Sequence, residues 1–342
     1  MKFKPIGRSG VLVSELCLGT MLFGEDSERS TDETDALKII DLFLDVGGNF
    51  IDTADVYADG RSEEIVGKAV KNRRYDVVLA TKVRFQMGKG VNDEGLSRHH
   101  IIRGVEESLK RLQTEHIDLL YMHCWDPVTP LEESLRACDD LVQAGKVNYI
   151  GVSNFKAWQL MKALGISDSN GWSRFIAAQY QYSLVVRDIE REFIDMCISE
   201  GVGLVPWGAL GGGFLSGKYK REEPPESARE GRLGMMSDET EEAWHRRNVD
   251  KNWEILGVME DIARSHTGAT ISQIALAWLL AQPVVDSVLL GARTIDQLQD
   301  NLGAEDLSLS LGEIERLNNV SALEMGYPYR FLSVYGTRSL ID

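Results

Sequence analysis

The sequence predicts an α/β protein built as a (β/α)8 TIM barrel, with an N-terminal β-hairpin and an extra C-terminal helix and loops. Two observations predict it. Short apolar segments rich in β-forming residues alternate with longer segments of helical period, and this alternation occurs eight times in 342 residues. Eight strand–helix units are typical of parallel strands that close into a barrel. A doubly wound open sheet is the alternative. It would favour two sub-domains, but no linker divides the chain, so we predict one domain over residues 1–342.

The elements follow in order along the chain. Residues 3–13, with Gly7 and Gly10 as turn residues, predict the hairpin. The barrel strands are predicted at residues 15–19, 49–54, 77–83, 117–124, 147–154, 175–182, 203–208 and 287–291. The helices are predicted at residues 31–46, 62–71, 99–112, 131–144, 156–164, 189–200, 252–266, 270–281, 295–302 and 311–320.

Several helix boundaries have a physical cause. Thr31 and Ser62 are residue types that cap helix N-termini, and Gly145 and Gly201 stand where a helix ends in a left-handed turn. One long irregular segment, residues 211–250, follows the seventh strand. In a barrel this segment lies on the face where active sites form.

Composition excludes several functions. The chain carries 37 Lys and Arg against 53 Asp and Glu, a net charge of −16, which argues against nucleic acids and anionic membranes. Apolar runs reach about ten residues, whereas a membrane span needs about twenty. The first ten residues lack the apolar core of a signal peptide. The four cysteines are scattered, which is typical of free thiols in a reducing cytoplasm, where we expect the protein.

Charged and polar residues stand at the ends of three neighbouring predicted strands. Asp52 and Tyr57 follow strand two, Lys82 ends strand three and His123 ends strand four. Active sites of (β/α)8 barrels lie at these carboxyl ends. Taken singly, a Lys or His at a strand end is usually solvated or structural. Together they indicate a site, because a buried charge is costly unless it is paired.

The four residues form a chemically sensible group. A Lys82 ammonium close to Tyr57 is expected to lower the tyrosine pKa, and Asp52 would hold the lysine in place. His123 would donate a hydrogen bond to a substrate carbonyl oxygen, and Tyr57 would protonate that oxygen. A cofactor must supply the hydride, since no side chain donates one.

At these residues the sequence resembles the aldo/keto reductase family. The resemblance is carried by residues 48–57 (GNFIDTADVY), 61–67 (RSEEIVG), Thr81-Lys82, Met122-His123, 145–147 (GKV) and 150–154 (IGVSN), and it extends from Gly19 to about Gly303. It implies a (β/α)8 barrel and NADPH-dependent reduction of aldehydes and ketones. It also implies a catalytic tetrad of Asp52, Tyr57, Lys82 and His123, with Tyr57 as proton donor.

The resemblance also implies the residues that bind the cofactor. Ser153, Asn154 and Gln179 would hydrogen-bond the nicotinamide carboxamide, and Trp207 would stack on the ring, where tyrosine is common in relatives. A core aromatic is the alternative for Trp207. The full set of cofactor candidates is Gly19, Thr20, Met21, Asp52, Ser153, Asn154, Gln179, Trp207, Gly208, Leu210, Gly213, Leu215, Gly217, Lys218, Gly291, Arg293, Gln297 and Asn301.

The glycine-rich segment 208–218 has three interpretations. Residues 212–218 fit GxxxxGK, but Tyr219 stands where a P-loop needs Ser or Thr, and a GxGxxG fingerprint fails at Ser216. The match is to the family loop around the cofactor pyrophosphate, with a flexible glycine turn as the alternative. Arg293 and Lys218 are the candidates for the 2′-phosphate that would favour NADPH over NADH, and a solvated surface residue is the alternative for Arg293.

Three functions are compared. The preferred one is an NADPH-dependent carbonyl reductase, with NADH as a less favoured cofactor. The second is a nucleotide-binding regulatory subunit of a larger assembly with little turnover. A metal-dependent isomerase or hydrolase is disfavoured, because the strand ends carry no set of metal ligands and we expect His99 and His100 to be solvated. Apolar residues near strand ends suggest an aromatic or alicyclic carbonyl substrate: Met21, Phe23, Trp125 and Trp158. The sequence leaves a monomer and a homo-oligomer open.

Overall fold

The computed structural model describes residues 1–24, 27, 29–227 and 231–336. Its strands are β1 Phe3–Pro5, β2 Leu12–Ser14, β3 Leu16–Gly19, β4 Phe50–Asp52, β5 Val78–Val83, β6 Ile117–Met122, β7 Val147–Ser153, β8 Phe175–Gln179, β9 Gly203–Leu204 and β10 Val288–Gly291. Its helices are α1 Glu33–Asp45, α2 Arg61–Val70, α3 Arg98–Leu112, α4 Leu131–Gln143, α5 Ala157–Asn170, α6 Phe193–Glu200, α7 Trp244–Arg247, α8 Asp250–Ser265, α9 Ile271–Leu280, α10 Ile295–Leu302, α11 Leu311–Val320 and α12 Tyr329–Tyr335. The (β/α)8 fold predicted from the alternation is confirmed.

The eight parallel strands curl into a barrel. They pair in the order β10-β3-β4-β5-β6-β7-β8-β9. The ring closes beside the short strand β9, where Leu204 bridges Val285 in parallel and the amide of Leu289 donates to the carbonyl of Pro206 at 3.0 Å. Because all strands run the same way, their carboxyl ends meet at one mouth of the barrel.

The amino-terminal hairpin closes the opposite end. β1 pairs antiparallel with β2, as predicted. Ile6 and Val13 are fully buried and pack in one cluster with residues that line the barrel interior, among them Phe50, Leu119 and Tyr121. The barrel interior is therefore filled from below, and the chemistry of the upper end is set by the next layer of inward residues.

Some predicted boundaries were wrong. α1 is capped by Asp32, whose carboxylate accepts from the Asp35 amide, and not by Thr31. α2 begins at Arg61, so Ser62 lies inside its first turn and its hydroxyl is buried. β9 is shorter than predicted, because Pro206 has no amide hydrogen to continue the ladder.

The segment 211–250 carries little regular structure. It contains 3-10 turns at Gly211–Ser216 and Arg232–Gly234 and the short helix α7, while residues 228–230 lie outside the described part of the chain. It follows β9, as predicted. In the described residues, no helix is both long and apolar enough to cross a membrane.

Candidate active site

The pleat of the strands places the candidate residues in one layer. On β4 the side chain of Phe50 fills the barrel interior, and Asp52, two residues later, points the same way. The same step of two leads from Ala80 to Lys82 on β5. It also leads from Tyr121 to His123 at β6 and from Ala177 to Gln179 on β8. Because every second side chain of a strand faces the same way, four polar side chains lie directly above the residues that fill the barrel interior.

Tyr57 reaches this layer from a strained turn. It begins a short 3-10 segment, Tyr57–Gly60, in which Ala58 and Asp59 have φ angles of 50° and 53°. The left-handed region is unfavourable for alanine, so packing around the turn must hold it. The turn brings the phenol oxygen to 3.3 Å from the Lys82 Nζ atom.

Lys82 is fully buried and all three of its ammonium hydrogens have partners. They are the Asp52 Oδ1 atom, the Thr53 carbonyl at 2.7 Å and the Tyr57 hydroxyl oxygen. The second Asp52 oxygen accepts from the Gln179 amide at 2.8 Å. Because Tyr57 accepts from Lys82, its own hydroxyl hydrogen is left for another acceptor.

The charge states of Lys82 and Tyr57 follow from these hydrogen bonds and from burial. Burial alone lowers the pKa of Lys82, but Asp52 and Tyr57 outweigh burial and raise the pKa above its usual value. Burial raises the pKa of Tyr57, and the Lys82 ammonium offsets only part of that effect. The expectation that Lys82 lowers the net pKa of Tyr57 was therefore wrong, because desolvation of the phenolate is the larger effect. At neutral pH the group holds a charged lysine and a protonated tyrosine.

His123 lies beside Tyr57 and is neutral. The two rings meet edge to face with centroids 6.0 Å apart. Burial, together with the charges of Lys82 and Arg84, holds the pKa of His123 well below its ordinary value. Its Nδ1 atom is buried without a hydrogen-bond partner. A neutral imidazole has one N–H donor and one acceptor, which suits a contact with an uncharged carbonyl group.

A further carboxyl group, on the segment after β4, is protonated at neutral pH. Asp55 is fully buried, and burial together with the carboxylate of Glu63 raises its pKa to about 8. Both of its oxygens lack a hydrogen-bond partner. Asp52, and not Asp55, is therefore the counter-ion of Lys82.

The candidates for the nicotinamide end lie along one side of the mouth. The Ser153 hydroxyl donates to the Gln179 carbonyl at 2.7 Å, and the Asn154 amide donates to the Ser153 hydroxyl and to the His123 carbonyl, both at 2.9 Å. These bonds tie the ends of β6, β7 and β8 together. Trp207 is half-buried and lies on the segment that follows the carboxyl end of β9.

The candidates after β3 have different surroundings. Gly19 ends the strand next to β10, and Met21 is half-buried with its sulfur 3.8 Å from an Arg232 nitrogen. Thr20 is fully buried. Its hydroxyl donates to the Asp52 carbonyl at 3.1 Å and lies 2.8 Å from the Ser62 hydroxyl, so this side chain is engaged within the protein.

The glycine-rich segment forms a tight series of left-handed turns. Gly211, Gly212 and Gly213 have φ angles of 57°, 72° and 88°. Gly208 and Gly217 are also left-handed, whereas Leu215 is fully buried and anchors the segment. Leu210 accepts from the amides of Gly213 and Leu215 at 2.9 and 3.0 Å. Only glycine adopts such a run readily, and it leaves the backbone accessible to a ligand.

Three cations gather beside this segment, and we call Arg29, Lys218 and Arg293 the mouth cations. Burial and the charges of Arg29 and Arg293 lower the pKa of Lys218 to about 8. Arg29 is 7% exposed, its Nε atom is buried without a partner, and burial together with the charges of Arg293 and Arg232 lowers its pKa. None of the three forms an ion pair with a described carboxylate. The residues thus fit a group with several negative charges, such as a dinucleotide.

Arg29 was missed by the sequence analysis. It lies on the loop after β3, which the pattern left without a motif, and no spacing in the sequence relates it to Lys218 or Arg293. Its position is fixed by tertiary structure, since Phe23 and Thr31 form a bridge across this loop and the Thr31 hydroxyl donates to the Arg293 carbonyl at 3.2 Å.

The polar residues after β10 start a helix, as the sequence indicated. Thr294 caps α10, and the Gln297 side chain accepts from the Arg293 amide at 2.9 Å. Asn301 is buried, and its side-chain Nδ2 atom lies 3.5 Å from the carbonyl oxygen of the exposed Gly291. These contacts hold the backbone of Arg293 at the N-terminus of α10.

Two further expectations were wrong. Phe23 is fully buried in the core and does not line the mouth, because the bridge to Thr31 turns it inward. His100 is buried and not solvated. Trp125 and Trp158 do lie together near the mouth, with ring centroids 6.2 Å apart. No cluster of three His, Cys, Asp or Glu that could hold a metal occurs among the described residues.

Comparisons with known proteins show which family the chain resembles. A model described as the aldo/keto reductase family matches residues 15–322. Oxidoreductase YrpG of Bacillus subtilis is 39% identical over 94% of this chain and 96% of its own. A probable voltage-gated potassium channel subunit beta of Arabidopsis thaliana is 36% identical over 90% of this chain and 92% of its own. Norsolorinic acid reductase of Aspergillus flavus is 36% identical over 97% of this chain and 84% of its own.

Proposed function

Because the chain belongs to the aldo/keto reductase family, whose members are nicotinamide-dependent oxidoreductases of carbonyl groups, we propose that it reduces aldehydes or ketones with NADPH and that Tyr57 donates the proton. One observation carries the proposal. A buried, fully bonded Lys82 ammonium holds the Tyr57 oxygen as an acceptor and leaves the phenol hydrogen free at the barrel mouth. This arrangement suits proton donation to a substrate oxygen.

The residues that would hold NADPH divide into two groups. Ser153, Asn154 and Gln179 offer amide and hydroxyl groups for the carboxamide, and Trp207 offers a ring face. The mouth cations offer charge for the phosphates, and they have no carboxylate partner among the described residues. When bound, the nicotinamide supplies the hydride that no side chain can. NADH remains the less favoured cofactor, because a 2′-phosphate would complement an additional cation.

Each residue of the tetrad has a distinct task in this proposal. His123, neutral at physiological pH, donates a hydrogen bond that positions the carbonyl oxygen of the substrate next to Tyr57. Tyr57 donates its proton to that oxygen as negative charge develops there. The Lys82 ammonium then stabilises the phenolate left behind. Asp52 keeps Lys82 charged and in place.

The substrate surface is aromatic. Trp125 packs edge to face on Phe155 with centroids 5.0 Å apart, and Trp158 is 58% exposed beside it. Flat apolar faces at a pocket favour aromatic or alicyclic carbonyl compounds.

We place the protein in the cytoplasm, which agrees with four free cysteines.

A second candidate function is suggested by two relatives with the same name. The similarity to a probable potassium channel subunit beta favours a regulatory subunit that binds nucleotide and turns over little. The two functions predict the same fold and the same cofactor site, so turnover distinguishes them.

The test is a steady-state screen. Purified protein is assayed for NADPH and NADH oxidation with aryl aldehydes, alicyclic ketones and short aliphatic aldehydes, and NADPH binding is measured in parallel. The reductase proposal expects turnover with aromatic carbonyls and a lower KM for NADPH than for NADH. Tight NADPH binding with negligible oxidation across the whole panel would contradict it and support the regulatory subunit.

A further inference from the structure

Arg84 lies at the mouth directly above the catalytic lysine. It comes two residues after Lys82, just beyond the end of β5. Side chains two residues apart on an extended strand point to the same side, so Arg84 projects towards the barrel axis one layer above Lys82. Lys82 is sealed inside, whereas Arg84 is half-buried and borders solvent.

Arg84 contacts the catalytic group through one aromatic ring. Its guanidinium carbon lies 5.3 Å from the Phe85 ring centroid, and the Phe85 ring packs edge to face on His123 with centroids 4.7 Å apart. The charge of Arg84 also contributes to the low pKa of His123. The guanidinium is therefore close to the position where His123 would hold a substrate carbonyl.

This guanidinium has no counter-ion among the described residues. Its Nε atom is buried and lacks a hydrogen-bond partner. Two carboxylates of the neighbouring loops are engaged elsewhere. Asp93 pairs with Arg103 at 2.7 Å, and Asp126 accepts from Thr129 and from the Leu96 and Val128 amides. Only the Nε atom is desolvated, so the remainder of this guanidinium is open to an anionic ligand, whose charge would compensate a cation that now has no partner.

The position of Arg84 separates it from the mouth cations. Arg84 follows β5, next to His123 just after β6, whereas Lys218 and Arg293 follow β9 and β10 on the side assigned to NADPH. An anion at Arg84 would therefore belong to the substrate. In a chain with a net charge of −16, a local unpaired cation is what an anionic substrate needs to bind.

On the basis of the proposed reductase function, we propose that Arg84 binds a negatively charged group of the substrate and makes the enzyme selective for aromatic aldehydes or ketones that carry a carboxylate or phosphate. A guanidinium binds a carboxylate through two parallel hydrogen bonds, and Phe85 and Trp125 would flank the aromatic body. Arg84 is then a specificity-determining residue, and Tyr57 and His123 perform the same steps for every substrate.

The test compares matched substrates and matched variants. The substrates are 4-carboxybenzaldehyde, 4-formylphenyl phosphate and the uncharged methyl 4-formylbenzoate, each assayed with NADPH. The variants are Arg84→Met, Arg84→Lys and, as a surface control, Arg136→Met, whose guanidinium packs on Trp172 away from the site. For Arg84→Met we expect kcat/KM to fall about ten- to hundredfold for the anionic aldehydes, mainly through KM, and to stay within about threefold for the ester. Arg84→Lys should restore part of the loss, and Arg136→Met should match the wild type.

A binding measurement keeps the proposal testable if no aldehyde is turned over. Calorimetric titration of the NADP⁺ complex with 4-methylbenzoate and 4-methylbenzamide should show benzoate binding that is lost in Arg84→Met and kept in Arg136→Met. Equal losses for charged and uncharged ligands, or a wild type without preference for the anions, would overturn the proposal. Turnover of the ester alone would overturn the Arg84 proposal while leaving the reductase function intact. Anion binding without any turnover would contradict the reductase function and support anion binding by Arg84.

Discussion

The proposed catalytic tetrad and the mouth cations differ in how their positive charges are compensated. In the tetrad, Lys82 is fully buried, and each of its hydrogens is bonded to Asp52, Thr53 or Tyr57. Among the mouth cations, burial and the nearby charges of Arg29 and Arg293 lower the pKa of Lys218 to about 8, and none of the three forms an ion pair with a described carboxylate. The tetrad is complete within the chain. The mouth cations have no carboxylate partner among the described residues, and in our proposal the phosphates of NADPH supply the missing negative charge.

The largest effect should come from breaking the tetrad's internal pair. Lys82→Met leaves the Asp52 carboxylate buried without its cation, so we expect the free energy of unfolding to fall by about 3–5 kcal/mol. Urea unfolding followed by circular dichroism measures it. The double variant Lys82→Met with Asp52→Asn should recover much of the stability but no activity. A single variant within about 1 kcal/mol of the wild type would contradict a self-contained tetrad.

Removing a mouth cation should lower the affinity for the cofactor more than the stability of the protein. Arg293→Ala is expected to weaken NADPH binding about tenfold or more and NADH binding less than about threefold, since a guanidinium–phosphate contact is charge-assisted. Fluorescence titration with both nucleotides measures the two dissociation constants. Equal losses would assign the 2′-phosphate to Lys218 or Arg29. Because one repulsion is removed, the stability of the free protein should not decrease by more than about 0.5 kcal/mol.

The smallest effect is a pH dependence. In the free protein, Lys218 loses its proton near pH 8, and a bound phosphate favours the charged form. NADPH affinity should therefore be highest below pH 8 and fall about three- to fivefold as pH rises from 7 to 9. Titrations at several pH values measure it. Lys218→Arg keeps its charge over this range and should flatten the curve; an unchanged curve in that variant would exclude Lys218 as its source.

The same contrast explains what the sequence could predict. Asp52, Lys82 and His123 were predictable because they stand at the carboxyl ends of neighbouring strands, and Gln179 followed only from the family resemblance. Phe23, Ser62 and Arg29 were not, because they lie on turns or helix starts whose direction depends on distant contacts. Thus Phe23 was assigned to the mouth and is buried, and Arg29 was missed although it borders Lys218.

The net direction of the Tyr57 pKa also lay beyond the sequence. Adjacent charges could be inferred from residue types, and they favour the phenolate. The extent of burial could not be inferred, and it is the larger effect. The raised pKa supports the proposed role of Tyr57 as an acid, since a tyrosine that keeps its proton at neutral pH can donate it.

The most direct test of the central claim is a single-turnover measurement on Tyr57→Phe. The protein is saturated with NADPH and mixed with an aryl aldehyde that the wild type reduces, and the absorbance of the reduced nicotinamide is followed. We predict a rate at least about a hundredfold below the wild type, with a dissociation constant for NADPH within about twofold of it. A variant that still oxidises NADPH at more than about a tenth of the wild-type rate would show that Tyr57 is not the proton donor.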